Sequence, residues 1–181
     1  MNQNPKSNFH ALEKNLIDVI QEQQLKLGYR KEILRFYYPL SSLNHCLGTA
    51  CDIAEMKQQL KAFREFSRER LGELKFSNQG ERFCILLPPE GAAYVKEQVP
   101  ENPFLTTFLQ TIGRHGCTMD ELRSVFGQFS DHVHLERVSG EDYDYLLYFE
   151  DGIPDDYRYC IEDEGEHLIY HRFSPADYEE L

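Results

Sequence analysis

Apolar residues at Phe9, Leu12, Leu16, Val19, Ile20 and Leu27 fall on one stripe at helical spacing, with Ser7 or Asn8 placed to cap the helix and Gly28 to end it. Ile33 to Tyr38 is short and aromatic, and Pro39 stops it from continuing as a helix, so a strand is expected there. Leu40, Leu43 and Leu47, closed by Gly48, predict a short helix. From Asp52, an N-cap residue type, a long helix is expected to reach Leu71, with Ile53, Met56, Leu60, Phe63 and Leu71 along its apolar face. After Gly72 the period changes to that of strands. Leu74 to Ser77 and Arg82 to Leu87 are joined by Asn78, Gln79 and Gly80, which supply turn chemistry. Pro88 and Pro89 then end the strand and open a short helix through Val99.

The stretch from Pro100 to Pro103 is the natural boundary, dividing the chain into modules 1–99 and 100–181. Two helices are expected beyond it, from Phe104 to Arg114 and from Asp120 to Phe129. Thr118 and Glu121 stand at capping-box spacing before the second. Four strands follow, near 132–138, 143–150, 157–162 and 167–173. Turn signals at Ser139-Gly140, Asp151-Gly152 with Pro154, and Glu164-Gly165 are close enough to the strands for an antiparallel meander. The class is therefore α+β.

Charge alters this picture more than composition does. Residues 1–117 hold 15 Lys/Arg against 13 Asp/Glu, whereas residues 118–181 hold 4 Arg against 18 acidic groups, so the net charge of -12 comes from the second segment. Such a tract repels phosphate, and any contact with nucleic acid must come from the first segment. Five scattered cysteines without a C-x-x-C pair argue for reduced, mostly buried thiols rather than a disulfide framework or zinc ribbon. The polar segment Met1 to Ser7 lacks the features of a signal or transit peptide, and the longest apolar run, Phe83 to Leu87, is too short to span a membrane. A cytoplasmic protein without a membrane partner is expected.

Written as elements, residues 8–98 run helix, strand, short helix, long helix, strand, turn, strand, helix. That order resembles a winged-helix domain with a two-stranded wing. Ser42-Leu43-Asn44-His45-Cys46-Leu47-Gly48 is similar to its second helix and turn, the helix after Asp52 to its recognition helix, and Asn78-Gln79-Gly80 to the wing tip. The length of the third helix and a wing with only Lys75 and Arg82 as cations depart from the pattern. The chain as a whole also resembles an uncharacterised bacterial family of unknown function, which implies no activity.

Lys57, Lys61, Arg64 and Arg68 recur at spacings that place them on one stripe of the long helix, where a DNA-binding domain would touch phosphate. The plainer alternatives are a solvated face with a Lys61–Glu65 pair, or a stripe that docks on the acidic half. His132 and His134 share a face of the first C-terminal strand, and His167 and His171 share one of the last. If those strands approach each other, or Cys160 joins them, zinc or another transition metal could bind; otherwise no cofactor is expected. Acidic turns around Glu150 and Glu162 lack the EF-hand order and read as solvated. Cys117 stands two residues from His115, and no nucleophile, P-loop or dinucleotide motif is present. Tyr143, Tyr145, Tyr157 and Tyr159 alternate along strands as core residues do. If one sheet face is open, they would, with Asp155 and Asp156, form a surface for a protein partner. The leading expectation is thus a non-enzymatic interaction protein that meets its partner through the acidic half. A winged-helix DNA-binding regulator comes second, and a metal-dependent enzyme built on His132 and His134 third.

Overall fold

The computed structural model describes residues 8–180, and side chains through residue 178; Ser7, one of the two expected caps, and the segment Met1–Ser7 lie outside the described residues. Contacts divide the chain into two compact units, Met1–Pro100 and Glu101–Leu181.

In the first unit, helix α1 (Phe9–Leu27) opens at Asn8, whose Oδ1 accepts from the Ala11 N–H at 3.1 Å. Leu12, Leu16 and Ile20 of its stripe are fully buried, but Leu27 is 61% exposed because the last turn runs past the core. Strand β1 (Leu34–Pro39) buries alternate residues and passes directly into α2 (Leu40–Leu47). Helix α3 (Ile53–Leu71) starts at a reciprocal capping box between Asp52 and Glu55. Strands β2 (Lys75–Gln79) and β3 (Arg82–Leu87) form a hairpin, and β1 pairs with the other edge of β3, giving an antiparallel sheet in the order β1-β3-β2. The hairpin turns at Gly80 and Glu81 rather than across Asn78-Gln79-Gly80. Gly80 takes a φ of +57°, and the Asn78 side chain reaches over the turn to donate to the Gly80 carbonyl. Helix α4 (Pro89–Gln98) closes the unit over a core that includes Leu12, Leu16, Phe63, Phe83 and Ile85.

In the second unit, α5 (Pro103–Ile112) and α6 (Met119–Gly127) precede an antiparallel meander of β4 (Val133–Arg137), β5 (Tyr145–Phe149), β6 (Arg158–Asp163) and β7 (Leu168–Phe173) in the order β4-β5-β6-β7. The Thr118–Glu121 capping box is present at the start of α6. Phe104, Phe108, Phe126, Phe149 and Tyr159 pack the core in mostly edge-to-face ring contacts with centroids 4.7–6.0 Å apart, an arrangement that suits the ring quadrupoles. A 3-10 turn, Pro175–Glu180, ends the described chain. The expected α+β class is thus found, and among the described residues no helix is long and apolar enough to cross a membrane.

Candidate functional site

Helices α2 and α3 are joined by a turn that Asn44 organises. Its Oδ1 accepts from the Cys51 N–H and the Thr49 hydroxyl, each at 2.8 Å, while its Nδ2 donates to the Cys51 carbonyl at 3.0 Å. Gly48 supplies the left-handed residue after α2, at φ +64° and ψ +39°. A short helix, a hydrogen-bonded turn and a long helix therefore follow one another directly. Met56, Leu60, Phe63, Ser67 and Leu71 face inward from α3, and Ala54, Lys57, Gln58 and Lys61 are exposed along its first half.

The four cations of the stripe have separate fates. Arg64 lies 3.3 Å from Glu65 and 3.5 Å from Glu73, and Arg68 lies 3.1 Å and 2.6 Å from the same two carboxylates. Glu65 is thus taken by the two arginines instead of Lys61, because Glu73 folds back from beyond the helix end and draws both guanidinium groups toward it. Lys57 and Lys61 make no ion pair among the described residues and are open to solvent. Arg70 serves structure: its Nε donates to the buried Glu13 of α1 at 2.8 Å, and that bond holds the guanidinium pKa above its ordinary value. At the hairpin, Lys75 and Arg82 are exposed, and the Arg82 guanidinium stacks 4.4 Å from the Tyr37 ring centroid beside a shallow groove lined by Tyr37, Tyr38, Pro39 and Glu81.

The expected histidine site does not form as drawn. Strands β4 and β7 are opposite edges of the sheet with β5 and β6 between them, so His132 and His134 are kept from His167 and His171. His132 precedes β4 rather than belonging to it; His134 stacks on Tyr148 and approaches Glu136 at 3.4 Å. His171 pairs with Glu162 at 2.8 Å, and Cys160 is buried. His167 instead meets His115, with ring centroids 5.1 Å apart, and Glu166. Cys117 is also buried, and burial pushes its thiol pKa up, the reverse of what a catalytic thiolate requires.

The tyrosine surface is largely core. Tyr157 and Tyr159 are 4% and 0% exposed, Tyr145 packs against the core, and Tyr143 is half-buried outside β5. Asp155 is buried too. It accepts from the Tyr159 hydroxyl at 2.7 Å and the Tyr157 N–H at 3.2 Å, and it faces Arg172 at 3.6 Å, whose guanidinium lies 3.7 Å from the Tyr157 ring centroid. Of the six residues expected on that surface, Asp156 is the fully exposed one. The Asn44 turn, the Glu73 clasp and the Asp155–Arg172 pair went unread in the sequence; the run from Asn44 to Cys51 offers no recognisable signal beyond its turn-forming residue types, Asn44 and Gly48.

These observations define an α+β chain with helices and a three-stranded antiparallel sheet in one unit and two helices with a four-stranded meander in the other. The model of a family described as a domain of unknown function (DUF3877, with an E. rectale gene description) matches residues 9–181, and the chain belongs to that family. No curated protein and no solved structure matches it.

Proposed function

We infer that this chain is a cytoplasmic DNA-binding regulator of the winged-helix type, with α3 entering the major groove and the β2–β3 hairpin touching the flanking backbone. The observation that carries the reading is the order α1-β1-α2-α3-β2-β3 combined with the sheet order β1-β3-β2, with the first half of α3 capped and its Lys57, Gln58 and Lys61 exposed. In helix–turn–helix docking it is the N-terminal residues of the second helix that meet base edges. Here those positions carry Lys57, Gln58 and Lys61, cations for phosphate or guanine and an amide suited to adenine. Arg64 and Arg68 fall out of the contact set, since binding phosphate would require breaking their bonds to Glu65 and Glu73.

The test is fluorescence anisotropy of labelled duplex DNA at low and physiological salt. The wild-type chain is expected to bind, and the double change Lys57→Ala/Lys61→Ala to weaken binding at least tenfold, while Arg64→Ala/Arg68→Ala has a smaller effect. Absence of wild-type binding at low salt, or a Lys57/Lys61 variant that binds as wild type does, would remove the reading.

A second reading, a protein partner, is favoured by a different feature from the tyrosine sheet. Leu25, Leu27, Tyr29, Ile33 and Tyr37 are all more than a third exposed along the end of α1, the connection after it and β1. Retention of a partner by the wild type and its loss on Leu27→Asp and Ile33→Asp would favour this surface over α3.

A further inference from the structure

We propose that His115, Glu166 and His167 form a binding site for a divalent zinc-class metal ion in the second unit. The three donors come from two separately built segments, the α5–α6 connection and the β6–β7 turn, and their ligand atoms all lie within 4.8 Å of one another. His115 Nε2 and Glu166 Oε2 are 3.4 Å apart. With zinc–ligand bonds of about 2.0–2.1 Å, the edge of a tetrahedron is roughly 3.3 Å, so this pair already stands at ligand spacing. The widest separation the three allow closes to that edge by at most about 1.5 Å of side-chain movement, and this costs little desolvation because all three side chains are exposed.

The backbone beneath the donors is held in place. The Gly116 N–H donates to the Glu166 carbonyl at 2.9 Å, which ties the connection to the turn, and the Glu164 N–H donates to the His167 carbonyl at 3.0 Å, which closes the hairpin. Gly116 and Gly165 have φ of +74° and +86°, a backbone that places each neighbouring donor and that a residue with a Cβ would strain to adopt. Two imidazoles and one carboxylate suit zinc, nickel or cobalt; magnesium and calcium demand more oxygen donors than the site offers. Three protein ligands leave a fourth position to water. Bound metal would clamp the connection to the turn and stabilise the folded chain by mass action.

The experiment is a calorimetric titration of the metal-free full-length protein with Zn²⁺ alone, backed by Co²⁺ absorption in the visible range, where tetrahedral coordination gives intense bands. One equivalent is expected to bind, with a rise in melting temperature. Loss of an outer-shell partner of a metal site costs about 10–100-fold in affinity, and loss of a ligand costs no less, so His115→Ala and His167→Ala should each weaken binding at least tenfold. Glu166→Gln should do the same with little steric change. His132→Ala, His134→Ala and His171→Ala should bind as wild type does. Because the three side chains are exposed, the metal-free variants should melt as the metal-free wild type does, which separates lost ligation from lost folding. No stoichiometric uptake, or uptake that survives both His115→Ala and His167→Ala, would overturn the proposal.

Discussion

Asp155 shows how one residue can be read two ways. In the sequence it belongs to an acidic turn; in the fold it is a buried carboxylate with Tyr159, the Tyr157 N–H and Arg172 around it. Burial raises its pKa, and Arg172, the Tyr159 hydroxyl and the Tyr157 N–H offset only part of that. A raised folded-state pKa means that the native protein holds this proton more tightly than the unfolded chain does. The stability it contributes is present below the unfolded value and is lost as pH rises through the folded one. Asp155→Asn removes the titration, so wild-type stability relative to this variant should fall as pH is raised from about 3.9, the ordinary value for an aspartate, and then level off above the raised folded-state value. Urea denaturation of both proteins across that range measures the difference, and a constant difference would contradict it. Arg172→Ala leaves the carboxylate buried without its counter-charge and should destabilise by about 3 kcal/mol near neutral pH, less in acid where Asp155 takes up a proton.

At the scale of elements, local rules account for where helices begin, and close approach accounts for how they pack. Asp52 was legible as a cap from its residue type at the head of an apolar stripe, and Thr118 from its spacing to Glu121; the reciprocal bond between Glu55 and Asp52 appears only in the structure. Asp52→Ala should cost about 1 kcal/mol and fray the first turn of α3, where Lys57 begins the proposed DNA contact. Gly91 of α4 carries no such signal. A Cβ there would stand 2.5 Å from both the Leu71 carbonyl oxygen and the Leu87 Cδ1, so α4 can lie against the end of α3 and β3 only with glycine at this position. Gly91→Ala should therefore destabilise by about 1–3 kcal/mol, despite alanine's better helix propensity. Chemical denaturation would show the sign directly; a stabilised variant would mean that α4 can move outward at no cost.

Across the whole molecule, charge decides what α3 can do. The chain carries -12 overall with its acids concentrated beyond residue 117, so long-range attraction to DNA is absent and binding must rest on a few direct phosphate contacts. The dependence of binding on salt should then be shallow for a DNA-binding protein. Each phosphate contact contributes about 0.9 to the slope of log affinity against log salt. Lys57→Ala/Lys61→Ala should reduce that slope by nearly two, and Arg64→Ala should change it little because Glu65 and Glu73 already neutralise that side chain. An equal loss of slope from Arg64→Ala would show that DNA displaces the two carboxylates.

The sequence by itself determined the α+β class, the order of helices and strands, the Asp52 cap, the Thr118–Glu121 capping box and the charge split. All of these are carried by residues a few positions apart, where backbone geometry repeats every 3.6 or every two residues. Tertiary structure decided which of those residues remain available. The period of a strand shows that Tyr157 and Tyr159 share a face but not that helices α5 and α6 cover it. Helical spacing lines up four cations on α3 but does not reveal that Glu73 folds back onto two of them. His167 was paired with His171 by strand period, while the fold set it beside His115 and Glu166, because turns at Gly116 and Gly165 and the register of β6 on β7 determine which side chains converge. Contact between distant segments follows from turn conformation and strand register, and neither is carried by a local pattern of apolar and polar positions.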